Sequence, residues 1–128
     1  MPYRILIVDD SATTRSMIKR IIGMTDIPVD CLLEAADGKQ ALGVLAGTQV
    51  DLVLADLNMP EMNGVEMTRR IRREQTTKSI PVVIVSAEPN IDRLTQLLSD
   101  GVQGFVRKPF TPEAIRNCVT RVMGAAHA

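Results

Sequence analysis

The sequence predicts an α/β fold: a doubly wound, five-stranded parallel sheet in the order 2-1-3-4-5, with helices on both faces. Three observations carry that prediction. Short apolar runs alternate with amphipathic segments five times along the chain. Three of those runs, Ile5–Val8, Leu52–Ala55 and Val82–Val85, contain no polar residue, as strands covered on both faces should. Each of the three is followed at once by a polar or acidic residue, where open α/β sheets place their chemistry.

Taken in order, Ile5-Leu6-Ile7-Val8 is the first strand. Met17, Ile18, Ile21 and Ile22 recur at helical spacing, and the pattern stops at Gly23. Pro28 separates that helix from a weaker second strand, Cys31–Glu34. Asp37-Gly38 turns into a helix bearing Ala41, Leu42 and Leu45 and closed by Gly47. The Leu52–Ala55 strand leads to a helix marked by Val65, Thr68 and Ile71. Pro81 opens the fourth strand, and Ile91, Leu94, Leu97 and Leu98 form the stripe of a helix ending at Gly101. Gly104–Val106 is a short last strand. Thr111 caps a helix opened by Pro112, with Ile115, Cys118, Val119 and Val122 as its stripe. The alternation implies right-handed crossovers, and strand composition suggests the order: the wholly apolar first, third and fourth strands are central, and the short or interrupted second and fifth lie at the edges. This is a (βα)5, flavodoxin-like three-layer sandwich.

Composition narrows the function. With 128 residues the chain is one domain, taken as 1–124 with a frayed tail at 125–128. Fifteen basic and fifteen acidic side chains cancel, so no global field recruits nucleic acid or an anionic membrane. Ile5–Val8 is far too short for a signal peptide or a membrane span. Cys31 and Cys118 match no metal spacing; they read as core fillers in a reducing, cytoplasmic setting. Arg69-Arg70-Ile71-Arg72-Arg73 reads as a solvated helix face partly paired with Glu66 and Glu74, rather than a nucleic-acid patch. His127, in the tail, is no ligand or phosphoryl donor.

The chemistry lies at the strand ends. Strand one ends in Asp9-Asp10, strand three in Asp56, strand four in Ser86, and strand five in Arg107-Lys108-Pro109. Singly, these are a helix cap, a turn residue, a loop serine and a surface lysine. In the proposed order they meet along one edge of the sheet. Three carboxylates so placed repel one another and raise their own pKa values unless a cation joins them. An all-oxygen, partly hydrated site suits Mg²⁺. With Mg²⁺ and Lys108 present the formal charge is about zero, which leaves room for a phosphoryl group. Asp56 is then the nucleophile that forms an acyl phosphate, Ser86 a hydrogen-bond donor to it, and Lys108 its counter-charge.

Val8-Asp9-Asp10-Ser11, Ala55-Asp56-Leu57-Asn58-Met59-Pro60 with Asn63-Gly64, Val85-Ser86-Ala87 and Val106-Arg107-Lys108-Pro109-Phe110 together resemble a bacterial two-component response-regulator receiver domain. The resemblance spans essentially the whole chain and is closest to the single-domain chemotaxis (CheY-like) regulators. The strand order is that family's own, so composition agrees with it rather than discovering it. The resemblance implies Asp56 as phosphoacceptor, and Mg²⁺ held by Asp9, Asp10, Asp56 and the backbone carbonyl of Asn58. It implies a sensor histidine kinase, a histidine phosphotransfer protein or a small acyl phosphate as donor, and a cis Lys108–Pro109 bond.

Ser86 and Phe105 become a switch that remodels the surface of the fourth helix, fifth strand and fifth helix for a downstream protein. Asn58 and Glu88 govern phosphoryl lifetime. Phe105 stands where chemotaxis regulators often carry tyrosine; without a hydroxyl, its inward state is expected to be populated before phosphorylation. Asn63 stands where aspartate is common, a mild change since both tolerate φ > 0. The expected protein is a monomeric signalling module, not an enzyme beyond its own phosphorylation and dephosphorylation, with neither nucleic-acid binding nor membrane insertion. It is a stand-alone regulator or a receiver cut from a longer protein. A Mg²⁺-dependent aspartyl-phosphate phosphatase is disfavoured, because such enzymes carry a second carboxylate where this chain has Asn58. Flavin binding is discarded, since the acidic first loop repels a cofactor phosphate.

Overall fold

The computed structural model describes residues 2–87 and 91–126. Its strands are β1 (Tyr3–Val8), β2 (Val29–Ala35), β3 (Leu52–Ala55), β4 (Val82–Ser86) and β5 (Gly104–Arg107). All pair in parallel, in the order β2-β1-β3-β4-β5 expected from composition. The helices are α1 (Ala12–Gly23), α2 (Gly38–Gly47), α3 (Gly64–Arg73), α4 (Ile91–Ser99) and α5 (Pro112–Ala126). α5 thus runs past Gly124. No helix of the described residues is long and apolar enough to cross a membrane.

Alternation along the strands divides the core into two layers. Leu6, Val8, Val53, Ala55, Val82 and Ile84 meet α2, α3 and α4 through Ala41, Leu45, Met67, Ile71 and Leu97. Ile5, Ile7, Leu52, Leu54, Val83 and Val85 meet α1 and α5 through Ile18, Ile22, Ile115, Cys118, Val119 and Val122. Each large aliphatic side chain so enclosed contributes about 1.5–3 kcal/mol relative to exposure. Local caps set the helix starts. The Ser11 hydroxyl accepts from the Thr14 amide at 3.2 Å, Asp37 from Gln40 at 2.8 Å, and Thr111 from Ala114 at 3.1 Å.

Several expectations need correction. Met17 and Leu98 are 51% and 61% exposed, so neither belongs to its helix's buried stripe. Each adjoins a buried residue, Ile18 or Leu97, and one step along a helix turns the side chain about 100° away. The side chains of Ile91 and Leu94, the other expected members of the α4 stripe, lie outside the described set. Cys31 is only half-buried because β2 is an edge strand; Cys118 is buried as expected.

The arginine run is not one solvated face either. Ile71 is fully buried within it. Arg72 donates to the Gly101 carbonyl through Nη2 at 2.7 Å and Nε at 3.1 Å, and to the Ile80 carbonyl at 2.7 Å. It also donates to Gln103 Oε1 at 2.7 Å, which accepts in turn from the Val82 amide at 2.8 Å. One guanidinium therefore ties together the loops that lead into β4 and β5. Arg70 pairs with Glu66, but the other carboxylate partner is Asp100, bound by Arg69 at 3.1 Å, rather than Glu74.

Candidate functional site

Parallel pairing brings the ends of β1, β3, β4 and β5 to one pole of the sheet. The Asp9 amide donates to the Ala35 carbonyl at 3.1 Å and the Asp56 amide to the Val8 carbonyl at 2.9 Å, so the ladder continues one residue past each strand. Both acidic backbones are thereby fixed. Carboxylate oxygens of Asp9, Asp10 and Asp56 lie within 4.8 Å of one another, with Asp9 buried, Asp56 half-buried and Asp10 exposed. This oxygen-only set, open to solvent on one side, fits a small hard cation that keeps part of its water.

Lys108 completes the pole from the end of β5. Its Nζ lies 3.2 Å from Asp9 Oδ2 and 3.6 Å from Asp56 Oδ2. Its own amide donates to the Ser86 carbonyl at 2.9 Å, joining the ends of β4 and β5, and the Lys108–Pro109 bond is cis, as expected. Ser86 is 2% exposed at the end of β4. Asp9 Oδ1 accepts from the Ser11 amide at 2.9 Å, and Asp56 Oδ1 from the Leu57 amide at 2.7 Å. Burial pushes the Asp56 carboxyl above its ordinary pKa and the Asp9 charge adds to this, while Lys108 and the Leu57 and Asn58 amides pull the other way. A carboxylate held in that balance gains from any cation that joins it.

Sequence reasoning missed Arg15. Its Nη1 donates to the Asp9 carbonyl and its Nε to Glu34 Oε1 at 3.0 Å, while Lys19 reaches Glu34 Oε2 at 3.1 Å. Hydrogen bonds from Lys19 and Arg15 hold the Glu34 carboxyl below its ordinary range. No spacing signal announces this link, because its two ends lie on a helix and on the neighbouring edge strand.

The β3–α3 loop was half anticipated. Asn63 has φ −78° and caps α3, its Oδ1 accepting from the Glu66 amide at 2.9 Å. The left-handed residue of the loop is Glu61, at φ 65°. Asn63 is thus a cap rather than a φ > 0 residue, a role asparagine and aspartate fill equally well. Gly64 is required for a different reason: a Cβ there would lie 2.6 Å from the Asp56 carbonyl oxygen and 3.2 Å from Leu57 Cα. Gly64→Ala is expected to cost about 1–3 kcal/mol in urea unfolding and to displace the Asp56 backbone. An unchanged midpoint would show that the loop yields freely. Asn58 is exposed two residues beyond Asp56. Phe105 is half-buried on β5, packed against the core layer that faces α2, α3 and α4. Glu88 and His127 lie outside the described residues.

Residues 5–120 match the family model described as "Response regulator receiver domain". The chemotaxis protein CheY of Pseudomonas aeruginosa is 35% identical over 119 residues, covering 93% of this chain and 94% of that protein. A CheY homologue of Campylobacter jejuni is 34% identical over 94% of this chain and 92% of its own. Among solved structures, chemotaxis response regulator CheY4 of Vibrio cholerae superposes with a TM-score of 0.85 at 29% identity, over 95% of this chain and 99% of that one. A chain with this sheet order and this acidic pole, matched nearly end to end, belongs to the response regulator receiver domains, the phosphorylation switches of two-component systems.

Proposed function

We propose that Asp56 is the phosphoacceptor and that Asp9, Asp10 and Asp56, with the backbone carbonyl of Asn58, hold Mg²⁺. The observation that carries this is the meeting of three carboxylates within 4.8 Å, with Lys108 Nζ 3.6 Å from Asp56. A carboxylate oxygen of Asp56 attacks the phosphorus of a phosphohistidine, on a sensor kinase or phosphotransfer protein, or of a small acyl phosphate. The donor's bond to phosphorus breaks and the donor keeps the electron pair. Lys108 balances charge on the phosphoryl oxygens, and the Ser86 hydroxyl donates to one of them. Bound Mg²⁺ supplies the remaining charge neutralisation.

The acyl phosphate draws Ser86 toward it and lets the Phe105 ring settle inward, changing the α4–β5–α5 face that a downstream protein reads. The half-buried position of Phe105 supports an inward state already accessible at rest. A chemotaxis-type output is supported by the two chemotaxis relatives at 35% and 34% identity. The protein is a cytoplasmic, monomeric signalling module that acts chemically only on its own phosphoryl group. Asn58, in place of a second acid–base carboxylate, argues against a phosphatase.

Incubation with acetyl phosphate and Mg²⁺ should leave an acid-stable, hydroxylamine-sensitive phosphoryl group on Asp56; no label there would overturn the assignment. Glu88→Ala is expected to lengthen the lifetime of that label, since a polar group that orders attacking water is removed. An unchanged decay rate would take Glu88 out of the reaction.

A further inference from the structure

Between α3 and α4 runs an open groove of about 460 Å³. Arg69, Arg70 and Arg73 line it from one helix and Arg93 from the other, and Glu66 and Asp100 share it. Among the described residues that line it, four positive and two negative groups leave a formal surplus of two positive charges, in a chain whose net charge is zero. Arg69 and Arg70 already bind Asp100 and Glu66 at 3.1 Å. Arg70 and Glu66 are both about half exposed, so their pair contributes little and can exchange partners, whereas Arg69 holds the mostly buried Asp100 through two donors. Arg73 is exposed and makes no ion pair among the described residues.

We propose that this groove docks an acidic segment of a partner protein. From Asn63 to Arg73 its α3 wall is about 15 Å long at 1.5 Å per residue. That length matches about five residues of extended chain at roughly 3.3 Å each. The three α3 arginines lie within five residues at the end of that wall, a rise of about 6 Å, and Arg93 lines the other helix, so the groove offers several guanidinium groups to neighbouring carboxylates of one segment. Each guanidinium fork can grip a carboxylate with two parallel hydrogen bonds. Nucleic acid fits less well, because Glu66 and Asp100 oppose phosphates and, among the described residues, no aromatic side chain lines the groove to stack a base. The position has a consequence. α3 starts from the loop that follows Asp56, and α4 follows the strand that ends in Ser86. A segment lying across both helices would grip the two elements that leave the reactive pole.

The test uses the full, unphosphorylated chain, so its outcome does not depend on the chemistry of Asp56. Fluorescein-labelled oligoglutamate is titrated by anisotropy, and amide shifts are mapped by NMR. Shifts should gather on α3 and along the groove-facing residues Arg93, Gln96 and Leu97 of α4, and Arg73→Glu with Arg93→Glu should weaken binding about tenfold. A charge-matched control, Arg20→Glu with Arg121→Glu, should weaken it far less. If that double variant loses its fold by circular dichroism, the milder Arg73→Gln should still weaken binding. Equal loss in the control, shifts scattered over the surface, or tighter binding of a single-stranded oligonucleotide at the same salt would each overturn the proposal.

Discussion

Asp56→Asn is expected to abolish phosphoryl incorporation while making the metal-free protein more stable. The first effect follows because an amide oxygen is no nucleophile toward phosphorus at neutral pH, and neither Asp9 nor Asp10 can substitute. Asp9 is buried, with Oδ1 held by the Ser11 amide and Oδ2 by Lys108. Asp10 is exposed and is not among the ion pairs of Lys108 in the described residues. The second effect follows from linkage. Burial and then the neighbouring Asp9 charge raise the folded-state pKa of Asp56, despite the opposing pull of Lys108. The folded state therefore binds that proton more tightly than the unfolded chain does. The stabilisation this provides is complete below the ordinary carboxylate pKa and is lost as pH rises through the raised value. At neutral pH the ionised side chain strains the pole, and a neutral isostere relieves it. Thermal unfolding in a chelator should give a higher midpoint for Asp56→Asn than for the wild type, and added Mg²⁺ should narrow or reverse the gap. A lower midpoint in chelator would mean that Lys108 outweighs burial.

Arg72→Ala is expected to be the most damaging substitution outside the apolar core, at about 2–5 kcal/mol. The guanidinium holds the carbonyls of Ile80 and Gly101 and the side chain of Gln103 at once. Deleting it leaves those acceptors without their donor at the ends where β4 and β5 begin. A Cβ on Gly101, at φ 99°, would meet Arg72 Cγ at 3.0 Å, so the Arg72 stem fills the space beside that glycine and its loss removes volume as well as hydrogen bonds. Arg72→Lys should recover little, because one ammonium nitrogen cannot reach the spread of acceptors that Nε, Nη1 and Nη2 serve from three corners of a planar fork. The urea midpoint checks this, and a shift below about 0.5 kcal/mol would refute it. Acetyl-phosphate labelling of the folded fraction should survive, since Arg72 acts at the far end of the sheet from Asp56.

The difference between these two residues marks how much of the molecule was legible in its sequence. Asp56 could be read because its address depends only on the strand before it. Leu52–Ala55 is apolar on both sides, so it is central, so its next residue stands at the reactive pole. The same reasoning placed Asp9, Asp10, Ser86 and Lys108 at strand ends, and the structure brings the three carboxylates and the lysine together. Arg72 could not be read, because a charged residue within an arginine run looks solvated until tertiary contacts show what it reaches. Arg15, in no such run, was missed because its partners Asp9 and Glu34 lie outside its own helix. Met17 and Leu98 failed for another reason: helical periodicity locates a stripe but not its width, and each sits just beyond the edge. Asn63 was read for its backbone when its work is done by its side chain.

The order in which the strands lie has a consequence for the nascent chain. β2, β1 and β3 are contiguous in the sheet and all belong to the first 55 residues. A ribosome-bound chain can thus assemble three neighbouring strands, with α1 and α2 to cover them, before β4 has been translated. All three aspartates have been delivered by residue 56, whereas Lys108 follows only after β5. Until then the growing acidic pole lacks the ammonium that later pairs with Asp9 and Asp56, and ions of the surrounding solution can stand in for it.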